Sequence, residues 1–362
     1  MTTTNKKKIL IAPLDWGLGH ATRCIPVVRA CLALGHEVVI ASSGRSLQLL
    51  KKEFPQLIAV DVPAYDIQYQ KKGSFIIKIM SQLGKVFRGI KREHKQTQQI
   101  IQAHNIDLII SDNRYGIYSN SVYSIIISHQ MMVKVPKFKI AEPFVYLWLQ
   151  YQHRKFDAIW IPDVKNEPNI SGDLSHKYKL PKHAKFIGIL TRFRKPVIQP
   201  EIKYDVLAII SGPEPQRTIF EDLIIKQAKQ TDKKYAIVSG ISEKNSEQQI
   251  HENIHLISHL PAEELFNLIL SSEIIISRGG YSTLMDLAVL NKKCIFVPTP
   301  GQTEQEYLVE ELDKKNMVFG VDQNNFDLHI ALKAVEKTQG FYVEVDVREF
   351  EKSLNEIINK IE

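Results

Sequence analysis

Short runs of β-branched and aliphatic residues recur along this chain, each followed by a longer stretch with helical spacing or turn residues. In the first half, Lys8–Pro13, Glu37–Ala41, Leu57–Val62, Asp107–Ser111, Ser124–Ser128 and Asp157–Ile161 read as buried strands. In the second half the same reading holds for Asp205–Ser211, Tyr235–Ser239, Ile254–Ile257, Glu273–Ser277 and Lys293–Pro298, with helices near 216–229, 261–270, 280–290 and 304–315. Strands alternating with helices predict parallel sheets with right-handed crossovers. Two such series predict an α/β protein made of two Rossmann-like, doubly wound domains facing across a cleft. The first domain is expected over 1–188 and the second over 204–346, joined by 189–203, where two prolines stand and no apolar periodicity survives. Residues 347–362 form an amphipathic stretch expected to pack back on the first domain.

A length of 362 residues agrees with two domains, since one hydrophobic core seldom supports so long a chain. With 44% hydrophobic and 24% charged residues and no run of spanning length, the composition is that of a soluble protein. Cys24, Cys31 and Cys294 show no metal-ligand spacing and no disulfide framework, and read as buried apolar groups in a cytoplasmic protein.

The net charge of +7 changes the picture only locally. Lys71–Lys95 holds eight Lys and Arg against one acid, Glu93; without that segment the 47 basic and 40 acidic residues reduce to equal numbers. Wound as a helix from Phe75, the segment gathers Phe75, Ile79, Leu83, Val86 and Ile90 within an arc of about 140°, and Lys85, Arg88 and Arg92 fall opposite. Such a helix either packs on the sheet with a solvated polar face or lies on an anionic membrane surface, which would make the protein peripheral on the inner membrane face. No aromatic-basic interleaving points to nucleic acid.

Three segments carry candidate chemistry. In APLDWGLGHATR (12–23) a strand ends, Gly17 and Gly19 permit close approach of the backbone to a ligand, and His20 opens the next helix. His20 is suited to accepting a proton near neutral pH, although a helix-capping histidine would also fit there. In LIISDNRYG (108–116), Asp112 follows a predicted strand at the same sheet edge and could orient His20; its alternative is to cap a helix near Tyr115. Just past the following strand stand His129 and Gln130, assigned to the acceptor side. In SEIIISRGGYSTLMDL, within 272–312, a strand runs into Arg278, Gly279 and Gly280, and a helix opens with Ser282 and Thr283, a cradle for pyrophosphate that needs no metal. Asp286, one turn on, would accept hydrogen bonds from a ribose diol, and the Gly301–Gln305 loop would reach sugar hydroxyls.

This last segment resembles the C-terminal domain of glycosyltransferase family 28, and more broadly the GT-B glycosyltransferases. In style it looks nearest to members that add N-acetylglucosamine to an undecaprenyl-linked muramoyl-pentapeptide. SRGGYSTLMDL is similar to the donor motif, HLPAEELFNLILSSEIIISR (259–278) to its approach, ISGPEP (210–215) to the first phosphate-facing loop, and GLGH to the glycine-rich loop of the N-terminal domain. Asp286 stands where the family commonly has Glu, and no asparagine follows Gln305.

The resemblance implies a GT-B fold, a UDP-sugar co-substrate in the second domain, an acceptor in the first, and inversion at the anomeric carbon. The donor-binding set is then Gly17, Gly19, Ser211, Gly212, His259, Leu260, Arg278, Gly279, Gly280, Ser282, Thr283, Asp286, Glu304 and Gln305. No DxD motif ends a strand, so neither metal nor cofactor is expected. His20, oriented by Asp112, would deprotonate the acceptor while the SRGG and Ser211-Gly212 loops stabilise the departing nucleotide. Two other classes share parts of this pattern. A sugar-nucleotide epimerase would have no use for a basic amphipathic helix, and a non-catalytic sugar-nucleotide binder would have no reason to set His20 beside Asp112. The expected partners are a nucleotide sugar, a lipid-linked acceptor and an anionic membrane surface.

Overall fold

The computed structural model describes residues 6–63, 75–135, 139–194, 200–241, 246–346 and 348–361. The chain divides into two compact units, Met1–Leu190 with Val345–Glu362, and Thr191–Glu344. Among the described residues each has one hydrogen-bonded sheet of seven strands.

In the first unit the elements run β1 (Lys8–Pro13), α1 (Gly19–Ala33), β2 (Glu37–Ser42), α2 (Gly44–Glu53), β3 (Ile58–Asp61), α3 (Phe75–His104), β4 (Leu108–Asp112), β5 (Tyr123–Ile127), α4 (Glu142–His153), β6 (Ala158–Ile161), α5 (Asp173–His176) and β7 (Ala184–Phe186). The strand order is β3-β2-β1-β4-β5-β6-β7, every pair parallel. Buried on both faces, the central strands are continuous aliphatic runs such as KILIAP and LIISD. The sheet reverses direction of growth between β1 and β4, where Pro13 pairs with Asp112.

In the second unit follow β8 (Tyr204–Ile209), α6 (Gln216–Ala228), β9 (Tyr235–Val238), β10 (Glu247–His251), β11 (Ile254–Ile257), α7 (Ala262–Leu270), β12 (Ser272–Ser277), α8 (Tyr281–Ala288), β13 (Lys293–Phe296), α9 (Thr303–Lys314), β14 (Phe319–Gly320) and α10 (Leu328–Glu336). The order is β10-β11-β9-β8-β12-β13-β14, with β10 antiparallel to β11 and the rest parallel. Its reversal lies between β8 and β12, and one core made of Val206, Phe220, Ile237, Ile276, Ile295 and Leu332 joins strands to helices.

The last helix, α11 (Glu349–Lys360), belongs to the first unit, where Phe350 meets the edge of Trp160 at 5.5 Å between ring centroids. The change of unit falls at Leu190, so Thr191, Arg192 and Phe193, placed in the join by the sequence, are packed parts of the second unit. Phe193 stacks on Phe266 at 5.1 Å. No helix among the described residues is long and apolar enough to cross a membrane.

Candidate active site

Ligands of open α/β sheets bind outside the carboxyl ends of the strands, where the strand order reverses. In the first unit that place is formed by the loops after β1 and β4. Leu18 begins α1 without a side-chain cap, and the His20 ring turns instead to β4, its Nδ1 lying 3.0 Å from Asp112 Oδ1. The capping alternative for His20 is thereby removed. So is that for Asp112, because no helix starts at Tyr115: residues 113–122 form an irregular loop with a turn at Tyr115 and Gly116.

Asp112 is completely buried. Burial alone would raise its pKa, but the Arg23 and His20 side chains beside it outweigh burial and hold its carboxyl well below the usual carboxylate range. Arg23, one turn along α1 from His20, makes a fork: Nε donates to Asp112 Oδ2 at 2.6 Å and Nη2 to Oδ1. Its Nη2 also lies 2.9 Å from His20 Nδ1, and its Nη1 lies 3.0 Å from His129 Nδ1. The Cys24 thiol adds a weak contact to Asp112 Oδ2 at 3.5 Å. The structure therefore brings His20, Asp112 and His129 together through Arg23, a residue the sequence reading passed over. Its signal was the spacing from His20, since positions three apart on a helix share a face. Gln130, next to His129, donates its backbone N–H to Ser128 Oγ at 3.2 Å.

The second unit presents the loops after β8, β12 and β13. Gly280 precedes α8, and no side chain caps that helix, so the amides of its first turn and its positive dipole end are directed at the sheet edge. Ser282 and Thr283 occupy that turn, half-buried. Gly279 has to be glycine, because a Cβ there would stand 2.3 Å from the Val309 side chain. Gly212 takes φ +113°, a conformation open to glycine, and the place of its missing Cβ lies 3.5 Å from Thr299 Oγ1. Thr299 is buried and its hydroxyl has no hydrogen-bond partner. A buried orphan hydroxyl beside a glycine loop suits a polar ligand, and Thr299 was also missed in the sequence.

Two expected donor contacts need correction. The Arg278 guanidinium is buried over the Phe220 ring, and donates to the carbonyls of Val297, Pro298 and Gln216 and to Gln323 Oε1. Burial lowers its pKa to about 10. Its two terminal nitrogens are taken up by these neighbouring segments, while its Nε is left without a hydrogen-bond partner. Asp286 likewise has both oxygens engaged: Oδ1 accepts from Thr191 Oγ1 and the Arg192 amide at 3.1 and 3.0 Å, and Oδ2 accepts the Arg192 fork at 2.9 and 2.6 Å. A ribose diol would have to displace Arg192.

Gln305 holds the loop before α9, its Oε1 accepting from the Thr299 amide and its Nε2 donating to Gln302 Oε1. Glu304 lies in the first turn of α9, and His259 and Leu260 lie after β11, two strands away from the reversal. Gly17 and Gly19 belong to the first unit, beside His20, and the rest of the donor set to the second. Among the described residues no group of three or more His, Cys, Asp or Glu could hold a metal ion.

Known proteins agree with this architecture. Residues 209–360 match the glycosyltransferase family 28 C-terminal domain, and residues 7–131 match glycosyl transferase family 1. An uncharacterized glycosyltransferase of Methanosarcina mazei is 23% identical over 317 residues, 83% of this chain and 81% of the relative. Among solved structures, MurG of Acinetobacter baumannii superposes with a TM-score of 0.56 at 14% identity, over 98% of this chain and 100% of that one. UGT89C1 of Arabidopsis thaliana, complexed with UDP-L-rhamnose, gives 0.59 at 12% identity over 99% and 100%. The second half of the chain thus matches the family 28 C-terminal domain, the first half matches a glycosyl transferase family 1 model, and the whole chain has the two-domain GT-B fold.

Proposed function

We propose that the protein is an inverting glycosyltransferase that moves a hexose, N-acetylglucosamine or a close analogue, from a UDP-sugar to a hydroxyl of a lipid-linked or cell-envelope acceptor, by a route in which no metal ion takes part. The observation that carries the reading is the chemistry that each unit holds at its own sheet reversal. One has a histidine held by a buried carboxylate, and the other an uncapped helix N-terminus beside glycine loops. In a single displacement the acceptor O–H gives its proton to His20 Nε2 and the acceptor oxygen bonds to the anomeric carbon. The bond from that carbon to the diphosphate breaks, and UDP departs with the electron pair. The first-turn amides of α8, with the Ser211-Gly212 loop and the Thr299 hydroxyl, meet the charge that develops on the diphosphate. The UDP assignment is supported by the UDP-L-rhamnose complex of the Arabidopsis protein.

Contact with an anionic membrane is supported by two helices of the first unit. From Gly84 on, α3 buries Val86 and Ile90 and exposes Lys85, Arg88, Lys91, Arg92 and Lys95; Phe75 and Ile79 fall in its first part, whose side chains lie outside the described residues. Its one acid, Glu93, is buried against Arg114. Beside it, α4 packs Trp148 against Val86 and Ile90 and leaves Phe144, Leu147 and Tyr151 at 71, 63 and 61% exposure, with Ile140 at 87% one turn earlier. These positions repeat every three or four residues, so they form one apolar stripe. Lys139 and Arg154 are exposed at its ends, and Lys155 lies over the Tyr151 ring. An apolar ridge among cations fits the boundary of an anionic leaflet.

The test is to incubate the protein with UDP-N-acetylglucosamine and other nucleotide sugars and follow nucleotide release by mass spectrometry. UDP should appear from one UDP-hexose, and His20→Ala should slow its release by about 10²–10⁴ while UDP still binds. Release only from a non-uridine nucleotide would overturn the donor assignment, and His20→Ala retaining more than about a tenth of the rate would overturn the base.

A further inference from the structure

His20 and His129 stand on different elements, in the first turn of α1 and in the loop after β5, and one buried guanidinium touches both. A guanidinium has five N–H donors and no acceptor. The His129 Nδ1 that faces Arg23 Nη1 at 3.0 Å must therefore be a lone pair, which places the proton of neutral His129 on Nε2. His20 Nδ1 faces two groups, Asp112 Oδ1 at 3.0 Å and Arg23 Nη2 at 2.9 Å. Arg23 Nη2 already directs a hydrogen at that same carboxylate oxygen. A lone pair on His20 Nδ1 would stand against an anionic oxygen, whereas an N–H there donates to it. His20 thus has its proton on Nδ1 and a lone pair on Nε2.

We propose that Arg23 is a positioning residue that, with Asp112, fixes His20 and His129 in opposite tautomers, one with Nε2 able only to accept a proton and the other with Nε2 able only to donate a hydrogen bond. The proposal rests on the reading of His20 as the base and extends it to a residue that never meets the reacting atoms. In an isolated carboxylate–histidine pair the carboxylate charge is best met by an imidazolium. Here the buried charge of Asp112 is met by Arg23, so His20 has to supply only a hydrogen bond. One carboxylate then serves both to neutralise Arg23 and to orient His20, and the second arm of Arg23 orients His129.

Long-range ¹H–¹⁵N correlation spectra of the histidine-labelled full-length protein report tautomers directly, with His20→Asn and His129→Asn assigning the two signals by their loss. The wild type should show His20 with Nδ1–H and His129 with Nε2–H. Arg23→Lys keeps a cation for Asp112, but one ammonium cannot hold Asp112 and His129 in the same fork. Its His129 signal should change from one tautomer to a mixture while His20 stays Nδ1–H. UDP-sugar hydrolysis should lose at least about tenfold in kcat with the donor KM unchanged. A wild-type spectrum with either histidine in the other tautomer overturns the proposal, and this comparison holds even if Arg23→Lys does not fold. A folded Arg23→Lys protein with an unmoved His129 signal also overturns it. Absence of any turnover by the wild type would instead count against the glycosyl-transfer reading, whatever the tautomers.

Discussion

Asp112 keeps a negative charge where burial excludes water, because Arg23 and His20 outweigh the cost of burial. A carboxyl depressed in the folded state contributes stability above its unfolded pKa of about 4, and that contribution is lost as pH falls from there through the lower folded value. Asp112→Asn should remove that acid sensitivity and, by leaving the Arg23 charge buried and unpaired, cost about 3–5 kcal/mol. Urea titrations at neutral and acid pH would measure both effects, and equal stability of variant and wild type at neutral pH would sink the account. The residues least legible in the sequence were those whose partners come from far along the chain. His20 and Asp112 could be paired because each ends or follows a strand with a recognisable pattern. Arg278 lies in an equally recognisable motif, yet its direction is set by carbonyls at Gln216, Val297 and Pro298. The two readings of Arg278 separate cleanly. Arg278→Met should lower the melting temperature by leaving buried carbonyls unpaired, at about 1–3 kcal/mol each. Its UDP affinity should stay within about threefold, whereas loss of a guanidinium–phosphate contact worth about 1.5–3 kcal/mol would weaken UDP more than tenfold.

Among the elements, the parallel strands were legible because burial on both faces writes them as unbroken aliphatic runs, KILIAP in β1 and SEIIIS in β12. The elements missed lack that signature. The strand β10 is EQQIH, a polar edge strand whose pairing depends on the hairpin with β11. The helix α4, EPFVYLWLQYQH, buries Leu149, Gln152 and His153 and exposes Phe144, Leu147 and Tyr151, so its apolar residues lie on two faces and give no clear period. Its exposed face changes where membrane contact is sought, from α3 alone to α3 with α4. Lys or Arg residues at an anionic surface contribute about 1 kcal/mol each, screened over roughly 8 Å at physiological salt. Sedimentation with vesicles should therefore require acidic lipid, weaken with salt, and fall by about tenfold or more when Lys85, Arg88 and Arg92 become Gln. Phe144→Ser with Leu147→Ser should lower binding at every salt concentration, because apolar insertion is not screened. Binding indifferent to acidic lipid would return both helices to the role of an ordinary solvated surface.

At the scale of the whole molecule, two doubly wound halves followed from the alternation of strands and helices, but the path of the chain between them is a matter of packing. It changes unit after Leu190 and returns after Glu344, so the last helix is built into the unit that begins the chain. Phe350, Leu354 and Ile358 are buried one turn apart along α11, and Lys185, at the edge of the first sheet, pairs with Glu349 and Glu356. A helix that closes the first unit from the far end of the sequence makes that unit's stability depend on residues covalently attached to the second. Phe350→Ala opens a cavity beside Trp160 and should cost about 3–5 kcal/mol. For a unit of this size that lowers the melting temperature by roughly 6–20 °C. Scanning calorimetry can tell which unit is affected, because on the proposed function UDP binds the second unit and would raise that unit's transition by mass action. Phe350→Ala should lower the transition that UDP does not raise, leave the UDP-responsive one within about 2 °C, and keep UDP affinity unchanged. Were the UDP-responsive transition to fall instead, the C-terminal helix would be acting on the donor unit, and the division of the chain at Leu190 and Val345 would be wrong as an energetic boundary.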